Sequence, residues 1–178
     1  QDLITARVLA DSTSPEGIRM TTMEIEYPRF ILAELNTHRM LSKNSASSRA
    51  IPVKSMHEHI RANTATPVYW GINQPGMKAR EEVTGADLTW VKYIWAKARD
   101  AAIGFSQDLA ELNIHKQITN RITEPWMLMK TVISGTEWAN FWWLRDHPDA
   151  QPEIAVLAHK MHEAYKASVP QPLQPGEW

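Results

Sequence analysis

The chain of 178 residues contains no cysteine. That excludes a disulfide scaffold, a zinc or iron–sulfur centre held by thiolates, and a thiol nucleophile. It also lacks an excess of either charge. The 19 Lys and Arg stand against 20 Asp and Glu, which argues against a generally basic nucleic-acid coat and leaves room only for a local basic pocket. No run of about 18 apolar residues exists, so no segment reads as a membrane span, and no secretory leader is visible. Gly-x-Gly-x-x-Gly, Gly-x-x-x-x-Gly-Lys-Ser/Thr and Gly-x-Ser-x-Gly are all missing. Neither a dinucleotide fingerprint, a phosphate loop nor a nucleophile elbow is therefore signalled. What is present is a globular balance of 43% hydrophobic and 22% charged residues, in a length that suits one domain, 1–178, with a real core. The chain starts at Gln1 and stops at Trp178, and we expect natural residues to be missing from one or both ends.

Local patterns suggest a mixed α/β (α+β) chain, with a small sheet and long amphipathic helices. Residues 3–10 and 18–27 are rich in β-compatible types and flank a turn-like stretch, which predicts a hairpin with Met23, Ile25 and Tyr27 on one face. Pro28 sits where a helix can begin, and Phe30, Ile31, Leu32 and Leu35 give that helix an apolar stripe ending near Met40. Residues 42–55 are dense in hydroxyl and basic groups and read as a loop or helix start facing a ligand. A short helix is expected over 55–62 and a loop over 64–76. The clearest periodicity places Leu88, Val91, Trp95, Ala98, Ala102, Phe105, Leu109 and Leu112 at alternating steps of three and four. That is one buried seam of a long helix. A further helix is expected over 151–167 with Ile154, Leu157, Ala158 and Met161 inward. The stretch 126–136 fits helix or strand, and the tail from Pro170 is extended.

Three constellations carry chemistry. The first, from Thr37 to Arg49, gathers His38, Arg39, Lys43, Arg49 and the hydroxyls of Ser42, Ser45, Ser47 and Ser48. It reads either as a solvated polar loop or as an anion or nucleotide pocket, since phosphate needs Arg forks and hydroxyl donors. The second runs from His115 through Asn120 and Arg121 to Glu124 and Pro125. It fits a basic helix terminus as well as a binding site. The third surrounds Asn140 and Arg145 with Trp138, Phe141, Trp142 and Trp143. Such an aromatic cluster is a core wall or a clamp for a planar, partly anionic heterocycle. The pairs His57/His59 and His159/His162 have no convincing third ligand nearby, so no metal is expected.

In order along the chain, these three constellations resemble the flavin-dependent thymidylate synthases. The family signature Arg-His-Arg-x-x-Ser-x-Asn-Glu-x-Ser-x-Arg appears as Thr37-His38-Arg39-x-x-Ser42-x-Asn44-Ser45-x-Ser47-x-Arg49. Asn120, Arg121 and Pro125 fit the pattern between the blocks. The last block appears as Asn140-Phe141, Leu144-Arg145 and Ala150-Gln151-x-Glu153-Ile154. The resemblance spans about residues 3–167. It implies a homotetramer of that family's α/β fold, with sites between subunits. It also implies conversion of dUMP to dTMP, with methylenetetrahydrofolate as one-carbon donor and NADPH as reductant of FAD. By position, Thr37, His38, Arg39 and Asn140 would contact FAD, with a further contact near 134–136. Ser45, Ser47, Arg49 and Arg121 would bind dUMP. Arg145 would contact the uracil and act catalytically by stabilising negative charge on the ring. A cytoplasmic protein is compatible with the missing cysteines, and the near-neutral charge and lack of a long apolar run lead us to expect no nucleic-acid or membrane partner.

Three departures mark a divergent branch. Thr37 replaces the first Arg of the signature and Ser45 replaces its Glu. The His/Glu-bearing segment usual before the signature is not recognisable in residues 12–17. A flavin-dependent dUMP or dCMP hydroxymethylase, in which water rather than hydride completes the transfer, is therefore the alternative. The missing cysteine fits either enzyme, because conventional thymidylate synthases attack uracil C6 with a Cys thiolate and this chain has none.

Overall fold

The computed structural model describes residues 3–76 and 78–177; Gln1, Asp2, Met77 and Trp178 lie outside the described residues. In chain order the elements are β1 (Thr5–Thr13), β2 (Arg19–Pro28), α1 (Leu32–Asn36), β3 (Ser42–Ser45), α2 (Val53–Ala62), α3 (Gly85–Glu111), α4 (Lys116–Thr119), β4 (Leu128–Gly135), α5 (Ala139–Arg145), α6 (Pro152–Ala167) and β5 (Gln171–Pro172). Tight 3-10 turns cover Arg29–Ile31, Ser48–Ala50 and Asn120–Trp126. The chain is thus mixed α/β, with five strands and six helices among the described residues. It divides into two compact units, one from residues 1–27, 31–45 and 129–178 and one from 28–30 and 46–128.

The first unit is built on one sheet with strand order β3-β4-β2-β1-β5. β1 and β2 form the expected antiparallel hairpin, with a bulge at Leu9 and a turn closed by Ser14 and Gly17. Gly17 has φ +84°, a conformation that favours glycine in such a turn. Met23, Ile25 and Tyr27 all point into the core, as their alternation requires. Ile133 of β4, Phe141 of α5, and Ile154, Leu157, Ala158 and Met161 of α6 are buried as well. α6 starts where the sequence indicated, with Pro152 at its first turn and the Gln151 side chain accepting the Ile154 N–H at 3.0 Å. The extended tail joins the sheet as β5, parallel to the end of β1.

Two expectations in this unit are corrected. The helix predicted from Pro28 to about Met40 is only α1, because β2 runs through Pro28 and a 3-10 turn follows. Thr37 then closes α1 early: its N–H and its hydroxyl both donate to the Glu34 carbonyl, at 3.2 and 2.6 Å. The predicted loop after Met40 begins instead with β3, which pairs antiparallel with β4 at Ser42↔Ser134 and Ser45↔Thr131.

The second unit centres on α3, which packs against α2, α4 and the Asn120–Trp126 turn. Met56, Ile60, Ile103 and Met127 form its core, flanked by Ile51 and Trp126. Trp95 is ringed by Phe30, Trp70 and Trp126 at 6.4, 6.0 and 5.7 Å between ring centroids. Its indole N–H donates to the Ala65 carbonyl at 3.0 Å. Buried His57 donates from Nε2 to Ser106 (2.8 Å), whose hydroxyl donates to the Thr119 carbonyl (3.1 Å), so α2, α3 and α4 are tied together.

The single buried seam predicted for α3 holds only in part. Leu88, Val91 and Trp95 are half-buried and Ala102 is buried, but Phe105 and Leu112 are 63% and 73% exposed. A straight helix drifts by roughly 20° per heptad against a strict seven-residue repeat. The packed stripe therefore slides onto Ile103 and Ser106, and the C-terminal seam residues turn outward. α3 ends in a Schellman close. Asn113 takes φ +60° and donates to Ala110 O, and Ile114 donates to Leu109 O, both at 3.0 Å.

Candidate functional site

The residues singled out in the sequence fall into two groups, one per unit. In the first unit, the early end of α1 turns the chain so that Thr37 and His38 face the last residue of α5. Arg145 Nε donates to His38 Nε2 at 2.8 Å and its Nη2 reaches Thr37 Oγ1 at 3.4 Å. Since guanidinium only donates, His38 accepts at Nε2 and its ring proton sits on Nδ1. The ring is 8% exposed and packs edge-on against Phe141, 4.8 Å between centroids. Burial, and then the Arg145 and Lys43 charges, push its pKa down to about 4. His38 is therefore neutral at pH 7. The half-buried Lys43 ammonium donates to the carbonyls of His38 and Leu41, and burial holds its pKa below the usual lysine range.

This arrangement orients Arg145 without cancelling its charge. A carboxylate holding the same guanidinium would neutralise it, whereas a neutral imidazole leaves a full positive charge next to whatever the site binds. The backbone that carries Arg145 is fixed from below. Asp146 accepts from His162 Nδ1 at 2.7 Å and from His159 Nδ1 at 3.2 Å. Burial raises the Asp146 carboxyl, but these hydrogen bonds and the two histidines outweigh it and hold the group below the ordinary carboxylate range. His162 stacks on Trp142, and Trp142 on Trp138, at 4.7 and 5.2 Å. The tryptophan wall expected around Arg145 is thus Trp138 and Trp142 with His162, while Trp143 is 74% exposed and takes no part.

Not every expected neighbour joins this cluster. Asn140 is exposed on the first turn of α5. Five residues before Arg145, it points about 140° away around the helix. Arg39 is exposed after the α1 turn. Ser134 is engaged with Thr22 across the sheet at 2.8 Å. Ser45 is half-buried on β3, and its hydroxyl meets Thr131 at 2.7 Å.

In the second unit, Ser47 caps the Ser48–Ala50 turn by accepting the Arg49 N–H at 3.3 Å. The fully buried Asn120 holds that turn by donating to the carbonyls of Ser48 (2.9 Å) and Ile51 (3.1 Å). Lys116 donates to the Ala50 carbonyl at 3.2 Å. Arg121 follows Asn120 directly, its side chain 62% exposed and only 3.7 Å from Glu124, which already pairs with Arg29 at 3.1 Å. Arg49 and Arg121 therefore present solvated cations and Ser47 a free hydroxyl proton, a donor set suited to an anion.

Sequence reasoning missed Asp146 and the positioning roles of Lys43 and Asn120. Lys43 stood at an unspecified place in the signature. The spacing of His159 and His162 was a usable signal, but the two share a carboxylate on the neighbouring helix.

The chain belongs to the thymidylate synthase complementing protein family, whose model matches residues 3–171. Among solved structures it is similar to a UMP/dUMP methylase, PolB from Streptomyces cacaoi, bound with 5-Br dUMP. The identity is 19%, the TM-score 0.74, and the match covers 91% of this chain and 89% of that one. The same methylase bound with 5-Br UMP matches at 19% identity and TM-score 0.76, covering 93% and 89%. At this identity the likeness carries the fold. No curated protein sequence matches the chain.

Proposed function

We propose that this chain is a flavin-dependent enzyme that modifies C5 of dUMP, with thymidylate synthesis as the leading reaction. The observation that carries the reading is Arg145: an arginine at the position of the family pattern, held by a neutral imidazole and left uncompensated. Uracil C5 is a weak nucleophile until the ring gains electron density. A guanidinium facing the pyrimidine favours the ionised ring and so raises that density. Arg121 would bind the nucleotide as well, with Ser45, Ser47 and Arg49 supplied by a neighbouring subunit. Ser47 is a hydrogen-bonding group rather than a nucleophile, because its partner is a backbone N–H and its motif holds no evident base.

The residues assigned to FAD fit an anionic dinucleotide: Arg39 is an exposed cation, and the exposed Asn140 amide can both donate and accept. His38, buried behind Arg145, would act on the pyrimidine side by orienting that guanidinium. The flavin, when bound, supplies redox chemistry that no side chain performs, with methylenetetrahydrofolate as carbon donor and NADPH as electron source. Thr37 and Ser45, which stand where the family pattern has Arg and Glu, favour a second reading, the dUMP or dCMP hydroxymethylase. Incubation with dUMP, FAD, NADPH and methylenetetrahydrofolate, followed by mass spectrometry, separates the two, since the products differ by one oxygen. A purified protein that is colourless and takes up no FAD would remove both.

The same reading includes a cytoplasmic homotetramer. Trp90, Phe105 and Leu112, exposed along α3, support a subunit interface, because a lone chain rarely leaves such a stripe in water. Light scattering should then give four times the 20.3 kDa chain mass. No helix among the described residues is long and apolar enough to cross a membrane.

A further inference from the structure

A buried polar relay crosses the second unit. His57 on α2 is 2% exposed, and Ser106 on α3, Thr119 on α4 and Asn120 after it are fully buried. The Ser106 hydroxyl lies 3.1 Å from the Thr119 carbonyl and 2.8 Å from His57 Nε2. A carbonyl only accepts, so the single Ser106 proton goes to Thr119, and the serine oxygen accepts from His57 Nε2–H. Burial, and then the Arg61 charge, hold His57 below the usual imidazole range, which keeps the ring neutral at pH 7.

The relay continues past Thr119. Its carbonyl belongs to the same planar peptide group as the Asn120 N–H, so Ser106 fixes the orientation of the peptide from which the Asn120 side chain departs. That side chain gives its amide protons to the carbonyls of Ser48 and Ile51. Its Oδ1 is buried with no hydrogen-bond partner among the described residues. A buried acceptor left unpaired is costly, so an apolar side chain would serve better if packing alone were required. What the amide adds is a fixed backbone at Ser48–Ile51. That turn carries Arg49, and Arg121 leaves the chain directly after Asn120. Both arginines are exposed, so the backbone beneath them is what sets their starting directions.

We infer that His57 and Ser106 are positioning residues for the two exposed cations Arg49 and Arg121. They act through the Thr119–Asn120 peptide and touch no ligand themselves. This rests on the nucleotide reading given above, in which each chain supplies both arginines to bound dUMP. The phosphate is the anionic group of that ligand, so the relay governs affinity for the phosphate and leaves recognition of the nucleoside alone.

The test compares dUMP with deoxyuridine, which lacks the phosphate, by calorimetry on the full chain. Ser106→Ala should raise the dUMP dissociation constant about three- to tenfold, the worth of one hydrogen bond, and leave that of deoxyuridine unchanged. His57→Leu breaks the relay at its other end and should do the same, adding nothing in the Ser106→Ala background. His57→Gln, whose amide can still donate to Ser106, should keep the wild-type affinity. A merely structural loosening would weaken both ligands alike, and that result would overturn the inference. Wild-type dUMP affinity in Ser106→Ala and His57→Leu, with binding still lost in Arg121→Ala, would overturn it while leaving the nucleotide reading intact. Absence of dUMP binding by the unmutated chain would overturn both.

Discussion

Acidification from pH 7 to pH 4 should cost this protein about 3 kcal/mol more than it costs the His38→Gln variant. In the folded chain, burial and the nearby Arg145 and Lys43 charges lower His38 from 6.5 to about 4. At about 1.4 kcal/mol per pH unit, holding the imidazole neutral over that interval is worth about 3 kcal/mol. The sign follows from which state takes the proton. Below pH 6.5 the unfolded chain binds a proton at this residue and the folded chain does not. Stability is thus intact above pH 6.5 and is lost progressively until the folded ring itself titrates near 4. Gln accepts from Arg145 through Oε1 but has no proton to gain, so it removes this term alone. His57, also lowered by burial, and Asp146 titrate in both proteins and cancel in the difference. Urea unfolding at pH 7.5, 6.5, 5.5 and 4.5, with linear extrapolation, measures it. Parallel loss in the two proteins, within about 0.5 kcal/mol, would refute the assignment of His38 as a buried neutral acceptor. In Arg145→Ala the extra acid loss should shrink but persist, because burial is the larger cause.

The other perturbations divide between binding and packing. Arg145→Ala should leave FAD bound while dUMP affinity and turnover fall about ten- to a hundredfold, the worth of one charge-assisted hydrogen bond; titration of the nucleotide and steady-state rates check this. Arg49→Ala should weaken dUMP about tenfold with an unchanged melting temperature, because the side chain is exposed and holds no part of the core. Gly71→Ala should destabilise by about 1–3 kcal/mol, since the new Cβ would stand 2.2 Å from the Ala79 Cβ; thermal unfolding reads the loss. Asp146→Asn should cost about 1–2 kcal/mol at pH 7. The gap to the unmutated protein should close as pH falls below 3.8 and the wild-type carboxylate loses its charge.

How much of this was legible depended on whether the side chains of a segment reported their own surroundings. Residues 18–27 alternate because β2 has one face in the core, and 151–167 carry a helical stripe because α6 lies on that sheet. Both could be read locally. β3 could not, because Ser42, Lys43, Asn44 and Ser45 bring no apolar residue of their own. Their strand exists through backbone pairing with β4, whose Met129, Thr131 and Ile133 supply the burial. The end of α1 was hidden for a similar reason: a single hydroxyl at Thr37 outcompeted a good apolar stripe. At the site, family spacing located Arg145 and His38 separately. It did not show that one holds the other across 107 positions of sequence, nor that Asn140, in the same block, lies on another side of α5.

The absence of cysteine and the neutrality of His38 belong to one argument. An enzyme with a thiolate can add it to uracil C6 and load the ring with electrons covalently. Under the proposed function this protein lacks that bond and would have only electrostatics to favour a negative pyrimidine, so the charge facing the ring would have to be real and undiluted. Of the side chains that accept from a guanidinium, a carboxylate would bind it more strongly but would cancel its field at short range. A buried imidazole with a pKa of about 4 holds the same geometry and contributes no charge. The neighbouring Asp146, which does carry a negative charge, is turned toward His159 and His162. The sole carboxylate adjoining Arg145 in sequence is thereby occupied by other partners, and the guanidinium keeps its charge for the ligand.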